Sequence, residues 1–482
     1  MRISSFRFKR ALVLDTSLPA NLSRHQCLWW DSIGDLLALA DLPEPSPRFT
    51  GEARCDVSIV GGGLSGLWSA IWLKTLIPDL SVVLVEQYQC GFGASGRNGG
   101  WLMGSIEGMS SWSDSSGVLS ADLRETITTI IPEVKTQLDR FGIDCDLSHG
   151  GGALAAARYP QQASRAQGFL RDLERLGFTP ADYHWLDATA ARAMVNVRGC
   201  AGAIYTPHIA TIHPLKLVLG LKRAAQSLGV TIYENSPVCE VNAGTLRTNG
   251  GTLQADTVII ATEGYANGLD RTGVTTLPVQ SGIVATEPLT SSQWAELGFQ
   301  SRPVFADFSR FSTYLQRTAD DRLVVGARGS YQWGAKPSLT FDLSAREQHA
   351  RIKLATQLFP LLKGVSFTHC WGGSVGVTRA MRPEVVADTQ RKLICLGGYI
   401  GEGVGGSFLM ARTVAEHLAG LATPRTSAPW LKIGPMEHRL TWPPEPLPWL
   451  AITALRGLWD LEDQWLRFQY WARSWPIRRL NE

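Results

Sequence analysis

No apolar run in this 482-residue sequence reaches the ~18–20 residues that span a bilayer. There is no Lys/Arg block, and a formal net charge of +3 is too small to argue for nucleic acid as a partner. The eight cysteines (Cys27, Cys55, Cys90, Cys145, Cys200, Cys239, Cys370 and Cys395) include no C-x-x-C pair and are scattered through apolar stretches. That pattern excludes a zinc ribbon or a disulfide framework and suits reduced thiols in a cytoplasmic protein. No metal site is expected. Internal repeats and low-complexity tracts are also missing. What remains is an ordinary globular composition, 44% hydrophobic and 18% charged, with enough apolar material to enclose a cofactor. The length suggests two or three domains. Met1–Arg10 carries Arg2, Arg7, Lys9 and Arg10 with no acid before Asp15, and is expected to be a loosely docked arm rather than a transit peptide.

Residues 42–54, with Pro43, Pro45, Pro47 and Gly51, read as a linker into a first core strand, 55–60. A glycine turn follows, then an apolar-periodic helix through Leu64, Leu67, Trp68, Ile71 and Leu73, and a second buried strand at 81–85. Further strands are expected at 256–261 and 393–397, and helices at 215–229 and 407–420. Two stretches of different character interrupt this alternation. The expected organisation is α/β: a Rossmann-like FAD-binding domain (51–112, 208–278 and 365–425), an inserted α+β substrate (cap) domain (113–207 and 279–364), an N-terminal arm and linker (1–50) and a Trp-rich C-terminal arm (426–482).

The strongest motif is Gly61-x-Gly63-Leu64-Ser65-Gly66, directly after a strand and opening a helix. Gly61 permits the tight turn, Gly63 lets the backbone approach a pyrophosphate, and Gly66 allows helix to pack on strand. The helix N-terminus offers free N–H groups to phosphate. Glu86 ends the second strand twenty residues after Gly66, where an acid accepts hydrogen bonds from ribose hydroxyls and repels the 2′-phosphate of NADP.

Beyond Glu86 the run Gly93-Ala94-Ser95-Gly96-Arg97-Asn98-Gly99-Gly100 is rich in small residues, as a loop pressed against a ligand should be. Here the chain resembles the D-amino-acid-oxidase-like superfamily of flavoenzymes. Within it, the sequence is similar to amine oxidoreductases acting on γ-glutamylputrescine and related amines, with sarcosine and glycine oxidases as further relatives. The resemblance recurs in 209–217 (IATIHPLKL), 256–265 (DTVIIATEGY), 397–413 (GGYIGEGVGGSFLMART) and 442–447 (WPPEPL), and covers about residues 28–460. It implies FAD along Ser95, Gly96, Arg97, Asn98, Gly99 and Gly100, an adenine contact near Val238, and a returning strand ending at Ala261 and Thr262. It also implies that Gly398, Gly401, Gly403 and Val404 face the flavin's pyrimidine edge. Some relatives hold FAD through a cysteine in the segment equivalent to 371–383; Val375 stands near that place here, so noncovalent FAD is expected.

For the chemistry, Arg328 in GARG falls where relatives place a Lys or Arg near the flavin face, to bind a substrate carboxylate or to assist oxygen reduction. Alternation on the strand 312–317 sends either Thr313 or Tyr314 inward. Glu402 either pairs with a cationic amine or caps a helix. Trp371 and Tyr265 are candidate aromatic walls, Arg382 resembles a position near the ring, and His213 is expected to be structural.

The implied activity is oxidation of a small-molecule amine or amino acid, with oxygen or another electron acceptor. The alternatives are a flavin dehydrogenase serving a quinone or protein acceptor, and a non-catalytic FAD-holding subunit. The tail, with seven of the seventeen tryptophans, reads as an arm packed on the FAD domain, with membrane contact over 449–473 as the alternative.

Overall fold

The computed structural model describes residues 26–36, 46–265, 269, 273–310 and 313–474; the arm expected at the N-terminus lies mostly outside them. Two large sheets organise the chain. The first runs in the order Leu431–Ile433, Glu384–Asp388, Leu393–Gly397, Gly251–Ile260, Gly51–Val60, Val82–Val85, Thr231–Tyr233, with a hairpin (Val238–Asn242 and Thr245–Thr248) on one side. Its central pairs are parallel: Gly51–Val60 lies between Gly251–Ile260 and Val82–Val85, and Gly251–Ile260 also pairs with Leu393–Gly397.

These strands are buried at their C-terminal ends, which explains their unbroken apolar character (Val57 to Val60 apart from Ser58, Val82 to Val85, Val258 to Ile260). The helix Leu64–Leu76 is buried almost throughout because it is sandwiched. Trp68, fully buried, meets Phe408 of the helix Gly403–Leu418 edge-on, with ring centroids 5.0 Å apart.

The second sheet is mostly antiparallel, in the order Phe367–Thr378, Thr276–Thr286, Leu323–Tyr331, Thr313–Arg317, Val304–Asp307, Ala153–Ala157, Gly202–Thr206, His184–Leu186. Two flanking segments of the first unit thus enter the second sheet: 367–378 pairs with 276–286 over their whole length. Conversely, Leu431–Ile433 returns to the first sheet, and Trp430 and Met436 are buried there. Beyond it the helix Leu447–Ser474 rests on the second sheet rather than on the first. Among the described residues no helix is long and apolar enough to cross a membrane, and no His/Cys/Asp/Glu group is arranged to hold a metal.

Strands Gly51–Val60, Val82–Val85, Gly251–Ile260 and Leu393–Gly397 run in the same direction, so their following turns open at one edge. The segments 61–66, 86–100, 261–265 and 397–403 converge there, as ligand-binding loops do at the carboxyl end of a parallel sheet.

Candidate functional site

The dinucleotide turn is as tight as its glycines require. A Cβ on Gly66 would fall 2.0 Å from the Gly61 carbonyl oxygen, and one on Gly61, where φ is +111°, 2.7 Å from that of Ala261. Gly63 is the N-cap of Leu64–Leu76 and offers no side chain to its free N–H groups. The Leu64 N–H donates to Ser95 Oγ (2.9 Å), which ties the turn to the second glycine loop. The Ser65 hydroxyl is hydrogen-bonded to that of Tyr399 (2.8 Å).

Glu86 accepts the N–H groups of Gly62 (2.7 Å) and Tyr88 (2.9 Å), and burial raises its pKa above the usual carboxylate value. Behind it, a buried Lys222–Glu234 pair at 2.9 Å holds the 87–90 turn, since Glu234 also accepts the Cys90 N–H. Val238, buried, opens the hairpin beside this turn.

The loop 97–100 is held by its own carbonyls. Each of the four accepts a hydrogen bond from a different part of the chain: Arg97 from the Trp371 indole (2.8 Å), Asn98 from the Trp29 indole (2.8 Å), Gly99 from the Gln316 amide (2.7 Å), and Gly100 from the Ile212 N–H (2.9 Å). The Asn98 side chain braces the loop from inside, donating to Ser95 O and accepting from Gly100 N–H, both at 2.8 Å.

Arg97 points away from the sheet edge. Its guanidinium donates to the carbonyls of Phe92 and Thr340 and sits 3.8 Å from the centroid of Phe341. Trp371 is fully buried as one of these clamps rather than standing as a wall. His213 is neutral, its pKa lowered to about 4 chiefly by burial; it caps Pro214–Ser227 and bonds Ser32. Trp29, Ile212, His213 and Gln316 line a cavity of about 360 Å³ behind the loop.

Opposite lie Ala261 and the segment 397–404. Glu263, at φ +48°, turns its side chain under this segment and accepts the N–H groups of Gly398 (2.8 Å) and Tyr399 (3.2 Å). Burial raises its pKa to about 7, partly offset by those hydrogen bonds. Gly376 and Gly397 leave the room it occupies: a Cβ on either would come within 2.5 Å of its carboxyl oxygens. Gly401 has φ +107°, and Gly403 and Val404 open the helix Gly403–Leu418, whose N-cap, Glu402, makes no side-chain capping bond. Glu402 instead lies near Tyr183, where its charge adds to burial in raising the Tyr183 pKa.

Tyr314 projects toward the loop. Its ring would clash with a Cβ on Gly99, at 2.5 Å, and its hydroxyl is hydrogen-bonded to Ser281 (2.8 Å), while Thr313 is buried on the other face of the strand. Arg328 lies on Leu323–Tyr331, its backbone paired with Ser281, the residue that holds Tyr314. Arg382 faces Ser111, at 2.8 Å.

The cradle suits an adenine-dinucleotide flavin. It combines a helix N-terminus whose N-cap is a glycine, glycine contacts that leave no room for side chains, and an acid at the ribose position. Among the described residues, the buried Thr262 Oγ1 and Tyr265 hydroxyl have no hydrogen-bond partner within the protein. Sequence inspection missed Trp29, Gln316, Glu263 and Tyr399. Only the occurrence of Glu263 and Tyr399 inside the two glycine-rich segments hinted at them.

A family model described as FAD dependent oxidoreductase (DAO) matches residues 56–417. A probable oxidoreductase OrdL of Rhizobium meliloti is 30% identical over 409 residues, 82% of this chain and 90% of that protein. The gamma-glutamylputrescine oxidoreductase of Escherichia coli is 31% identical over 394 residues, 80% and 88% of the two chains. The crystal structure of glycine oxidase from Geobacillus kaustophilus superposes with a TM-score of 0.63 at 24% identity, covering 77% of this chain and 96% of that one.

Proposed function

Because the chain belongs to the DAO family of FAD-dependent oxidoreductases, we propose that it oxidises the C–N bond of a small amine or amino acid to an imine that hydrolyses, with oxygen accepting the electrons as hydrogen peroxide. The observation that carries this reading is the convergence of the segments 61–66, 93–100, 261–265 and 397–404 on one edge of the parallel sheet, with Gln316 and Trp371 of the second sheet hydrogen-bonded to the 93–100 loop. The FAD is noncovalent. The segment 371–383 holds Val375 and no cysteine, and Cys90, beside Gly62, has its thiol pKa pushed well above the ordinary value by burial and the nearby Glu234.

Bound there, the flavin supplies a two-electron acceptor. The chain supplies the rest. Gly61, Gly63, Leu64, Ser65 and Gly66 would form the turn against the pyrophosphate, with the helix N-terminus directed at it, and Glu86 would hold the ribose. Val238 contacts the adenine side, while Ala261 and Thr262 close on the cofactor from the returning strand. Ser95, Gly96, Arg97, Asn98, Gly99 and Gly100 form a wall whose shape is set by the four clamped carbonyls. Gly398, Gly401, Gly403 and Val404 would present N–H groups and a helix N-terminus to the pyrimidine edge, a positive end that favours negative charge there. Tyr314, held by Ser281, bounds the substrate space; Arg328 binds a carboxylate on the substrate, and Glu402 receives a cationic amine.

An anaerobic titration of the purified protein with primary and secondary amines and amino acids, followed near 450 nm, tests this. Bleaching by one class, reversed by air with peroxide formed stoichiometrically, is the expected result. Bleaching that air does not reverse but a quinone does would replace oxygen as acceptor. A yellow protein reduced by dithionite and by no amine would remove the proposed activity.

A further inference from the structure

The helix Leu447–Ser474 has two apolar faces, and one of them packs against the second sheet while the other is largely exposed. Trp449 and Ile452 pack on the Leu277, Tyr331 and Ala335 cluster, Leu466 is buried, and Glu462 joins Arg165 (3.0 Å) and Arg310 (2.9 Å). These contacts fix the helix against the second sheet. On the opposite face Leu447, Leu450, Leu458, Leu461 and Trp465 are 56, 50, 64, 63 and 58% exposed, and Ala454 is exposed between them. Phe468, stacked on Trp465 with centroids 5.9 Å apart, continues the row.

The steps along this row are three, four, four, three, four and three residues. At 3.6 residues per turn they keep these side chains within roughly 80° of arc, and Leu455, 44% exposed, widens the apolar face on one side. A monomer rarely leaves so continuous an apolar stripe in water.

We propose that this seam is an interface with a second copy of the chain, paired antiparallel about a two-fold axis near Leu458. Three observations select that occupant. The row is nearly symmetric on reversal: in such a pair Leu447 meets Phe468, Leu450 meets Trp465, Ala454 meets Leu461, and the two copies of Leu458 flank the axis between residues 457 and 458, as an isologous contact allows. The flanking positions are Ala451, Thr453, Leu455, Gly457, Asp460, Glu462, Gln464 and Gln469, with no lysine or arginine among them, and the helix's three arginines are matched by three acids. A helix seeking anionic lipid carries a basic excess instead. Finally, half-exposed side chains over this length amount to roughly 600 Å² per copy, or about 1,200 Å² in the pair, which reaches the range of specific interfaces.

The test uses the full-length, flavin-loaded protein in light scattering after size exclusion, at ~50 µM. The expected mass is twice the 52.6 kDa of the chain, falling to the single mass in Leu458→Glu/Leu461→Glu while the flavin spectrum is kept. In parallel, Leu458→Cys should form a disulfide-linked dimer on mild oxidation that the wild type, with its exposed Cys239, does not. A monomeric wild type overturns the proposal, as does a dimer that survives the double substitution, or a Leu458→Cys protein that cannot be cross-linked. Flotation of a monomeric wild type with phosphatidylcholine/phosphatidylglycerol vesicles, abolished by the double substitution, would assign the seam to lipid.

Discussion

Glu263 is partly buried, accepts two backbone N–H groups and has its pKa raised from 4.5 to about 7, chiefly by desolvation. A carboxyl group whose folded pKa is raised holds its proton more tightly in the native state than in the unfolded chain. Its contribution to stability is therefore complete below about pH 4.5 and is lost as pH rises through about 7. The displacement corresponds to about 3 kcal/mol. For a chain of this length, with an unfolding entropy near 1 kcal/mol/K, that is roughly 3 °C in Tm. Glu263→Gln keeps the shape and removes the titration, while one of the two N–H donors comes to face an amide NH₂, costing about 1–3 kcal/mol at every pH. The variant is thus expected to melt below the wild type at pH 5 and to draw level or overtake it by pH 8.5. Thermal or urea unfolding of both proteins between pH 5 and 8.5 gives the difference curve, in which every other titrating group cancels. Two parallel curves would refute the assignment of a desolvated, protonating Glu263.

Gly63→Val places side-chain carbon against Ser95 Oγ, already 2.8 Å from a Cβ at that position; the purified variant should retain less than a tenth of the wild-type flavin, read as the ratio of absorbance at 450 and 280 nm. Trp371→Phe leaves the Arg97 carbonyl without its indole donor, so denaturant unfolding should register a loss of about 1–3 kcal/mol, and weakened flavin retention should accompany it. Six of the eight thiols are buried, with Cys27 and Cys145 pushed up to about 12 by burial, whereas Cys239 is exposed and Cys370 intermediate. Ellman's reagent should therefore titrate one thiol promptly, a second slowly and the rest only in denaturant; more than two in the native protein would contradict the packing.

The parts of the fold that were legible in the sequence are those encoded locally. The strand, glycine turn and helix of 55–76 announce themselves through short-range sterics and periodicity, and the run 93–100 through its small residues. The clamps on that run were not legible, because their donors lie far away: Trp29 is 69 residues from Asn98, Gln316 is 217 from Gly99, and Trp371 is 274 from Arg97. Nothing in a residue's type says which carbonyl it will reach. Arg97 illustrates the reverse. Its place in the glycine-rich run suggests a ligand, yet its guanidinium finds the Thr340 carbonyl and the Phe341 ring in the opposite direction. Alternation along a short strand left Thr313 and Tyr314 undecided, and the choice came from tertiary packing against Gly99 and Ser281. Glu263 was one letter in a strand-return segment; its significance depends on burial, which only the folded chain supplies.

The pairing of Gly51 with Gly251 in the central parallel ladder has a consequence for how the protein is made. The segment 51–60 leaves the ribosome first, yet one neighbour, 251–260, follows some two hundred residues later, and the last ladder bordering the turns, 393–397, later still. At 5–20 residues per second, roughly 20–70 s separate the emergence of the first strand from that of Gly397. The strand 51–60 finds Val82–Val85 early on one side, but its other edge stays open until 251–260 emerges, and the edge of 251–260 in turn until 393–397 does, a demand on chaperones rather than on the finished enzyme. Flavin loading must then be a late event, following release of most of the polypeptide, and production in a heterologous host should respond to slower synthesis and added chaperone more than to added riboflavin.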